Sequence, residues 1–165
     1  MKRQLSKSHP SVAAVQRILV PVNFTDASIR AAEYAARLAR ALKTTVTLLH
    51  IVEEDLPKTD SEESREQLLK SIHDAADQKL QSFAHLFVGN GIATEIIVAI
   101  GKPVQQILYE ITEMNPDLVV MTSRYRKPMR WFWQRDTTLE ILERAPCPVA
   151  VLRDTGTEAN DLILY

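Results

Sequence analysis

The feature that most constrains the fold is the alternation of short apolar runs with helical patterns along the whole chain. The runs are rich in β-branched and aliphatic residues, which is typical of strands buried in a parallel sheet. Between them, apolar residues recur at three- and four-residue steps, the period of an amphipathic helix. The strand-like runs are Ile18–Val20, Thr45–Val52, Thr94–Ile100, Leu118–Met121 and Val149–Leu152. The order β-α-β-α-β-α-β-α-β predicts an open α/β fold, a five-stranded parallel sheet with helices on both faces and right-handed crossovers.

Length and composition indicate one domain with one core. The chain has 165 residues, of which 45% are hydrophobic and 25% charged, as in an ordinary globular protein. We place the α/β domain at residues 17–153, between an N-terminal tail, 1–16, and a C-terminal tail, 154–165. The longest apolar run of the first tail, Val12–Val15, is too short for a secretory or membrane-spanning segment. In the second tail, Leu162-Ile163-Leu164 either docks on a neighbour or stays unpaired.

Net charge limits the kinds of partner this chain can attract, and cysteine content indicates its redox environment. The formal net charge is -1, so no global field recruits nucleic acid or an anionic membrane, and any electrostatic partner must be met locally. The one cysteine, Cys147, cannot form an internal disulfide, which suits the cytoplasm. It lies between two prolines without a basic neighbour, so we expect an inert, buried or half-buried thiol.

Helix starts can be read from capping residues. Thr25 or Asp26 is placed to cap the first helix, which we expect to end near Leu42. Asp60 with Glu63 resembles a capping box for a helix that runs to Val88. Pro103 suits the first position of the third helix, and Asp136 is placed to cap the helix from Thr137 to Arg144.

His50, near the end of the second strand, is the residue most easily mistaken for a metal ligand. No second histidine or cysteine stands at ligand spacing from it. We therefore expect no metal site, and a strand-end histidine with an ordinary hydrogen bond.

The loop after the fourth strand carries the functional prediction. In open α/β sheets, ligands bind beyond the carboxyl ends of the strands. This loop has no glycine, although a backbone cradle for phosphates depends on glycine for positive φ and close approach. Instead it is cationic and aromatic, with Arg124, Tyr125, Arg126, Lys127, Arg130, Trp131, Phe132, Trp133 and Arg135.

Several segments, in the same order, resemble the universal stress protein family over nearly all of residues 16–153. The resemblance implies the strand order 3-2-1-4-5, with Asn23 and Thr122 side by side at the switch point of the sheet. The matching segments are Arg17-Ile-Leu-Val-Pro-Val-Asn-Phe24, Ala27-Ser28, Leu49-His50-Ile51, Gly101-Lys-Pro103, Asp117 to Met121 and Ala145-Pro-Cys-Pro-Val149.

The nucleotide-binding positions of the family depart from its pattern here. Nucleotide-binding members carry a glycine, two residues, a second glycine, nine residues, then glycine followed by serine or threonine. That frame holds Thr122, Tyr125, Arg135 and Asp136 in this chain. A residue with a Cβ in a left-handed backbone costs roughly 1–2 kcal/mol, and Tyr125 and Arg135 would fill the phosphate space. We therefore expect no ATP binding of the family's kind.

At two further nucleotide-binding positions of the family, this chain has residues chemically similar to the family's own. Asn23 stands where such members place an aspartate, and it keeps an acceptor oxygen. Ile51 conserves an apolar contact near the end of the second strand, so a base pocket is compatible with the sequence.

The resemblance also implies a homodimer through the last strand. The predicted dimer edge consists of Val149, Val151 and Arg153. No residue pattern argues for this edge independently.

Three functions compete on these residues. The first is a non-enzymatic stress-response domain, regulatory or scaffolding, without a cofactor, whose loop is either a partner surface centred on Arg130–Trp133 or a plug over the vacated pocket. The second is a protein that binds ATP or AMP at a rebuilt site, with Arg124, Arg126 and Lys127 clamping phosphates. The third is a loop that binds an anionic membrane or single-stranded nucleic acid, which the near-neutral charge disfavours.

Overall fold

The alternation of strands and helices is confirmed in the computed structural model, which describes residues 15–53, 61–123, 137–153 and 162–164. The strands are β1 (Arg17–Pro21), β2 (Thr45–Val52), β3 (Thr94–Ile100), β4 (Leu118–Ser123), β5 (Val149–Arg153) and β6 (Leu162–Leu164). The helices are α1 (Asp26–Leu42), α2 (Glu62–Val88), α3 (Pro103–Met114) and α4 (Thr137–Arg144).

The sheet order is β3-β2-β1-β4-β5-β6. The first five strands are parallel and have the order 3-2-1-4-5, as predicted. β6 is an addition that the sequence did not predict: it pairs antiparallel with β5, through Val151 and Ile163 among others. Leu162–Leu164 therefore pairs with its own chain.

This pairing changes the position of the predicted dimer edge. β5, which contains Val149, Val151 and Arg153, is an inner strand here because β6 covers its outer side. Pairing between the β5 strands of two copies of the chain remains a prediction, and it requires β6 to dissociate from β5.

Two apolar cores lie on opposite faces of the sheet. On one face, α1 and α2 pack on residues such as Ile18, Val20 and Leu48, all fully buried. On the other face, α3 and α4 pack on Leu19 and Leu49. α1 lies close to the sheet because its buried positions are almost all alanine, at Ala27, Ala31, Ala32, Ala35, Ala36 and Ala39.

Hydroxyl side chains begin the first two helices. The Thr25 Oγ1 accepts the Ser28 N–H at 3.4 Å, which decides between Thr25 and Asp26. For α2 the expected cap at Asp60 was wrong: Ser61 is the N-cap, and its hydroxyl accepts the Ser64 N–H at 3.2 Å. The helix therefore begins at Glu62, which places acidic residues in the first turn, where the helix dipole favours them. α3 begins at Pro103, as predicted.

None of the helices in the described part of the chain is both long enough and apolar enough to cross a membrane.

One carboxylate ties the starts of β1 and β4 together. Asp117 Oδ2 accepts the backbone N–H groups of Gln16 at 2.8 Å and Arg17 at 3.0 Å. In return, the Asp117 N–H donates to the Arg17 carbonyl at 3.0 Å. The two N–H groups donated to the carboxylate lower the pKa of Asp117, because they stabilise its charged form.

We predict that this contact makes stability depend on pH below the range of ordinary aspartates. Because the folded-state pKa lies below the unfolded value of about 3.9, the stabilisation is present above that value and is lost as pH falls through the folded pKa. Asp117→Ala should lower the free energy of unfolding at pH 7 by about 1 kcal/mol, a modest figure because the side chain is exposed. Urea denaturation at pH 7 and pH 3 measures this.

Asp117→Asn is the matched control for the charge. Its amide oxygen can still accept both N–H groups but does not titrate, so part of the stability should remain and the Asp117 contribution to the pH dependence should disappear. A wild-type and an Asn variant with the same pH profile would contradict the assignment.

Candidate functional site

The candidate site lies where β1 and β4 end, at the switch point of the sheet. The two strands are neighbours, paired at Ile18 with Leu118 and Leu19 with Val119. From here the chain crosses to opposite faces, since α1 follows β1 and α4 follows β4. A crevice at the carboxyl ends is the usual result of such a reversal in strand order. Asn23 and Thr122 come to this edge from the two strands.

Asn23 is held in the turn between β1 and α1. Its Oδ1 accepts the Thr25 hydroxyl at 2.7 Å and the Thr25 N–H at 3.3 Å. Its own N–H donates to Ser28 Oγ at 3.3 Å. The acceptor oxygen that the sequence suggested for a base is therefore already used by the local turn.

Thr122 belongs to regular strand. It pairs with Leu152 of β5, and Ser123 pairs with Arg153. The Thr122 carbonyl accepts the hydroxyl of Thr138, a buried residue of α4, at 3.1 Å. The first position of the family's glycine frame is thus extended backbone tied to α4, a conformation that does not require glycine.

The end of β2 presents a histidine and an isoleucine on different sides. His50 Nδ1 lies 2.8 Å from the Val22 carbonyl oxygen, so this nitrogen carries the proton and donates, as predicted for a strand-end histidine. Half-buried Ile51 packs against the core on the α3 and α4 face.

An aromatic cluster, Phe24, His50 and Phe83, joins the ends of β1 and β2 to α2. The Phe24 ring centroid lies 4.7 Å from that of His50 and 6.2 Å from that of Phe83. Lys79 Nζ lies 4.1 Å from the Phe24 ring centroid, within range of a cation–π interaction. Together they form a packed aromatic and cationic wall beside Asn23.

Phe24 adopts an uncommon backbone conformation to make these contacts. Its φ is 59°, the left-handed region that costs a bulky residue roughly 1–2 kcal/mol. The ring contacts offset this cost. Sequence reasoning missed the cluster: the four-residue spacing of Lys79 and Phe83 places both on one side of α2, but no pattern in the chain connects them to Phe24.

Most of the predicted loop lies outside the described residues. These positions are Arg124, Tyr125, Arg126, Lys127, Arg130, Trp131, Phe132, Trp133, Arg135 and Asp136. The structure places the residues on both sides of the loop, Ser123 at the end of β4 and Thr137 at the start of α4.

The described residues give little basis for metal or thiol chemistry. Within residues 15–53, 61–123, 137–153 and 162–164, no group of three or more histidine, cysteine, aspartate or glutamate side chains could hold a metal ion. Cys147 is half-buried, as expected. Burial and the nearby charge of Asp117 raise the pKa of its thiol, which lowers the thiolate fraction that a nucleophile needs.

Comparison with known proteins identifies the family. The profile of the universal stress protein family matches residues 14–153. The chain belongs to the universal stress protein family.

Relatives extend the match over nearly the full chain. Universal stress protein Sll1654 from Synechocystis is 27% identical over 150 residues, which cover 91% of this chain and 93% of the relative. Universal stress protein UspA from Lactobacillus plantarum superposes with a TM-score of 0.68 at 22% identity, covering 84% of this chain and 98% of UspA. A family protein from Arabidopsis thaliana with AMP bound has a TM-score of 0.56 at 18% identity, covering 84% and 91%. The solved structures share the fold of this universal stress protein.

We predict that the turn holding Asn23 depends on the Thr25 hydroxyl. Thr25→Ala removes both the cap of α1 and a donor to Asn23, so it should lower the free energy of unfolding by about 1 kcal/mol. Thr25→Ser keeps the hydroxyl and should cost less. Chemical denaturation followed by far-ultraviolet circular dichroism measures both variants. Equal losses for Ala and Ser would show that the hydroxyl is not responsible.

Proposed function

We propose that this universal stress protein is a non-enzymatic regulatory or scaffolding domain of the stress response, which acts in the cytoplasm and does not hold ATP in the family's manner. The observation that carries the proposal is the state of Thr122. This first position of the glycine frame has a Cβ, lies in paired strand and gives its carbonyl to Thr138. The remaining frame positions, Tyr125, Arg135 and Asp136, also lack glycine or serine.

The surroundings of Asn23 support the same conclusion. A nucleotide base is recognised through free donors and acceptors, yet the Asn23 acceptor is taken by Thr25. To bind a base, Asn23 would have to exchange two local hydrogen bonds for new ones, so the net gain would be small. The Phe24 ring beside it is held by His50 and Lys79.

The second candidate function is nucleotide binding at a rebuilt site. The Arabidopsis relative in complex with AMP favours it, because it shows that the fold can hold an adenine nucleotide. In this chain Arg124, Arg126 and Lys127 would replace backbone N–H groups as phosphate ligands, since charge-assisted contacts are strong.

We predict that ATP and AMP give no saturable signal with this protein up to about millimolar concentration, the weak end of the affinity scale. Both tryptophans, Trp131 and Trp133, are in the loop, so their fluorescence reports directly on a ligand there. Titration calorimetry provides a second readout that does not depend on the loop. Saturable binding in the micromolar range would establish the second candidate instead.

A matched variant tests whether the side chains at the glycine positions are what prevents ATP binding. Thr122→Gly, Tyr125→Gly, Arg135→Gly and Asp136→Ser, made together, restore the family frame. If the missing glycines are the cause, this variant should bind ATP at least about tenfold more tightly than the parent, or about 1.4 kcal/mol. Circular dichroism checks that it folds. A folded variant that binds no better would show that another feature excludes the nucleotide.

We propose that the loop is a surface for a protein partner. Tryptophan and arginine are enriched at binding hot spots, and Arg130, Trp131, Phe132 and Trp133 are consecutive. The competing explanation is that the aromatic residues fold over the vacated pocket and plug it. Both explanations fit the loss of the glycine frame, but they differ in the exposure of the tryptophans.

We predict that acrylamide quenches both tryptophans nearly as well in the native protein as in urea, as expected for side chains that face water. Trp131→Phe and Trp133→Phe separate the two signals. Stability is the second readout, measured on Trp131→Ala and Trp133→Ala: truncating a tryptophan that plugs the pocket would cost about 3–5 kcal/mol at most, as in a core, whereas a surface position should change by less than about 0.5 kcal/mol. Shielded tryptophans with large losses of stability would establish the plug.

A further inference from the structure

β6 lies on the side of β5 that would otherwise be an open sheet edge. β5 ends the parallel part of the sheet, and β6 follows it in space. An open edge presents unpaired N–H and C=O groups, which readily pair with another chain. The paired positions are Ala150 with Leu164, Val151 with Ile163, and Leu152 with Leu162. β6 therefore satisfies backbone groups that could otherwise bind a second chain.

The direction of β6 indicates what it replaces. It runs antiparallel to β5, whereas the other strand pairs in the sheet are parallel. If two copies of the chain met edge to edge through a twofold axis perpendicular to the sheet, their β5 strands would also run antiparallel. Such an interface closes on itself, since each copy contributes the same strand. β6 thus has the direction that the partner's β5 would have.

We infer that β6 occupies the docking surface for a second copy of this chain, so that two copies pair through β5 only when Leu162–Leu164 is released. Self-association is then controlled by the C-terminal segment. The inference does not depend on whether the protein binds a nucleotide.

The pairing is short enough to be exchanged. β6 has three residues and three paired positions, whereas β4 and β5 share five. Residues 153–161 separate the paired Leu152 and Leu162, a longer connection than the about 2–5 residues of most hairpins. A second β5 strand of five residues also offers more backbone partners than the three residues of β6 do.

The first experiment releases the edge. A chain that ends at Arg153 should form dimers with a dissociation constant at least about tenfold lower than that of the full chain, by sedimentation or light scattering over a concentration series. Ile163→Pro and Leu162→Pro in the full chain should shift it in the same direction, because proline disrupts strand pairing. Thr157→Pro, in the connection, is the matched control and should leave the mass unchanged.

The second experiment locks the edge. Val151→Cys with Ile163→Cys joins two directly paired positions, in a Cys147→Ser background that removes the native thiol. After oxidation, the chain should migrate as a monomer on a non-reducing gel and stay monomeric at concentrations where the shortened chain is dimeric. Reduction should restore the behaviour of the full chain.

Two results would overturn the inference. One is equal mass for the full chain, the shortened chain and both proline variants at every concentration. The other is a covalent dimer from the oxidised cysteine pair, which would mean that β6 pairs with the β5 of another copy. If the shortened chain precipitates, the proline variants and the locked chain decide the question.

Discussion

The hydrogen bonding of β1 to both β2 and β4 is the constraint on which the rest of the structure depends. Ile18, Leu19 and Val20 are completely buried between helices on the two faces. The chain passes from β1 to β2 on one side and later returns to β4 on the other, and the helices divide between the two faces of the sheet. The pairing brings the ends of β1 and β4, near Asn23 and Thr122, to the same edge of the sheet. The Asp117 carboxylate secures the opposite end of the same strands.

At this edge of the sheet, the polar groups of Asn23, Thr122 and His50 already bond to neighbouring parts of the same chain. Asn23 supports the turn, the Thr122 carbonyl is bonded to α4, and His50 donates to Val22. Polar groups that already have partners contribute little net energy to a ligand, since each new bond replaces an existing one. The chain shares its fold with the Arabidopsis relative that has AMP bound, and its loop after β4 is rich in cationic and aromatic residues.

The two features on which the proposals rest, the glycine frame and β6, are at different places along the chain. Thr122, the described position of the glycine frame, lies near the carboxyl end of β4, where the proposed loss of ATP binding would arise. β6 is at the lateral edge, where the proposed control of pairing between chains would act. The two proposed effects can change independently. ATP binding depends on side-chain volume near the end of β4, whereas pairing between chains depends on backbone hydrogen bonds along β5.

The sequence by itself determined the five parallel strands, most helix limits and the absence of glycine from the loop, because these follow from local periodicity and residue identity. Strand order came from family resemblance, since alternation does not specify neighbours. Only the tertiary structure decided the strained backbone of Phe24, its contacts with His50 and Lys79, the Asp117 contact and the pairing of β6. Each of these features depends on contacts between residues far apart in the chain. Such contacts leave no periodic pattern in the sequence from which they could be predicted.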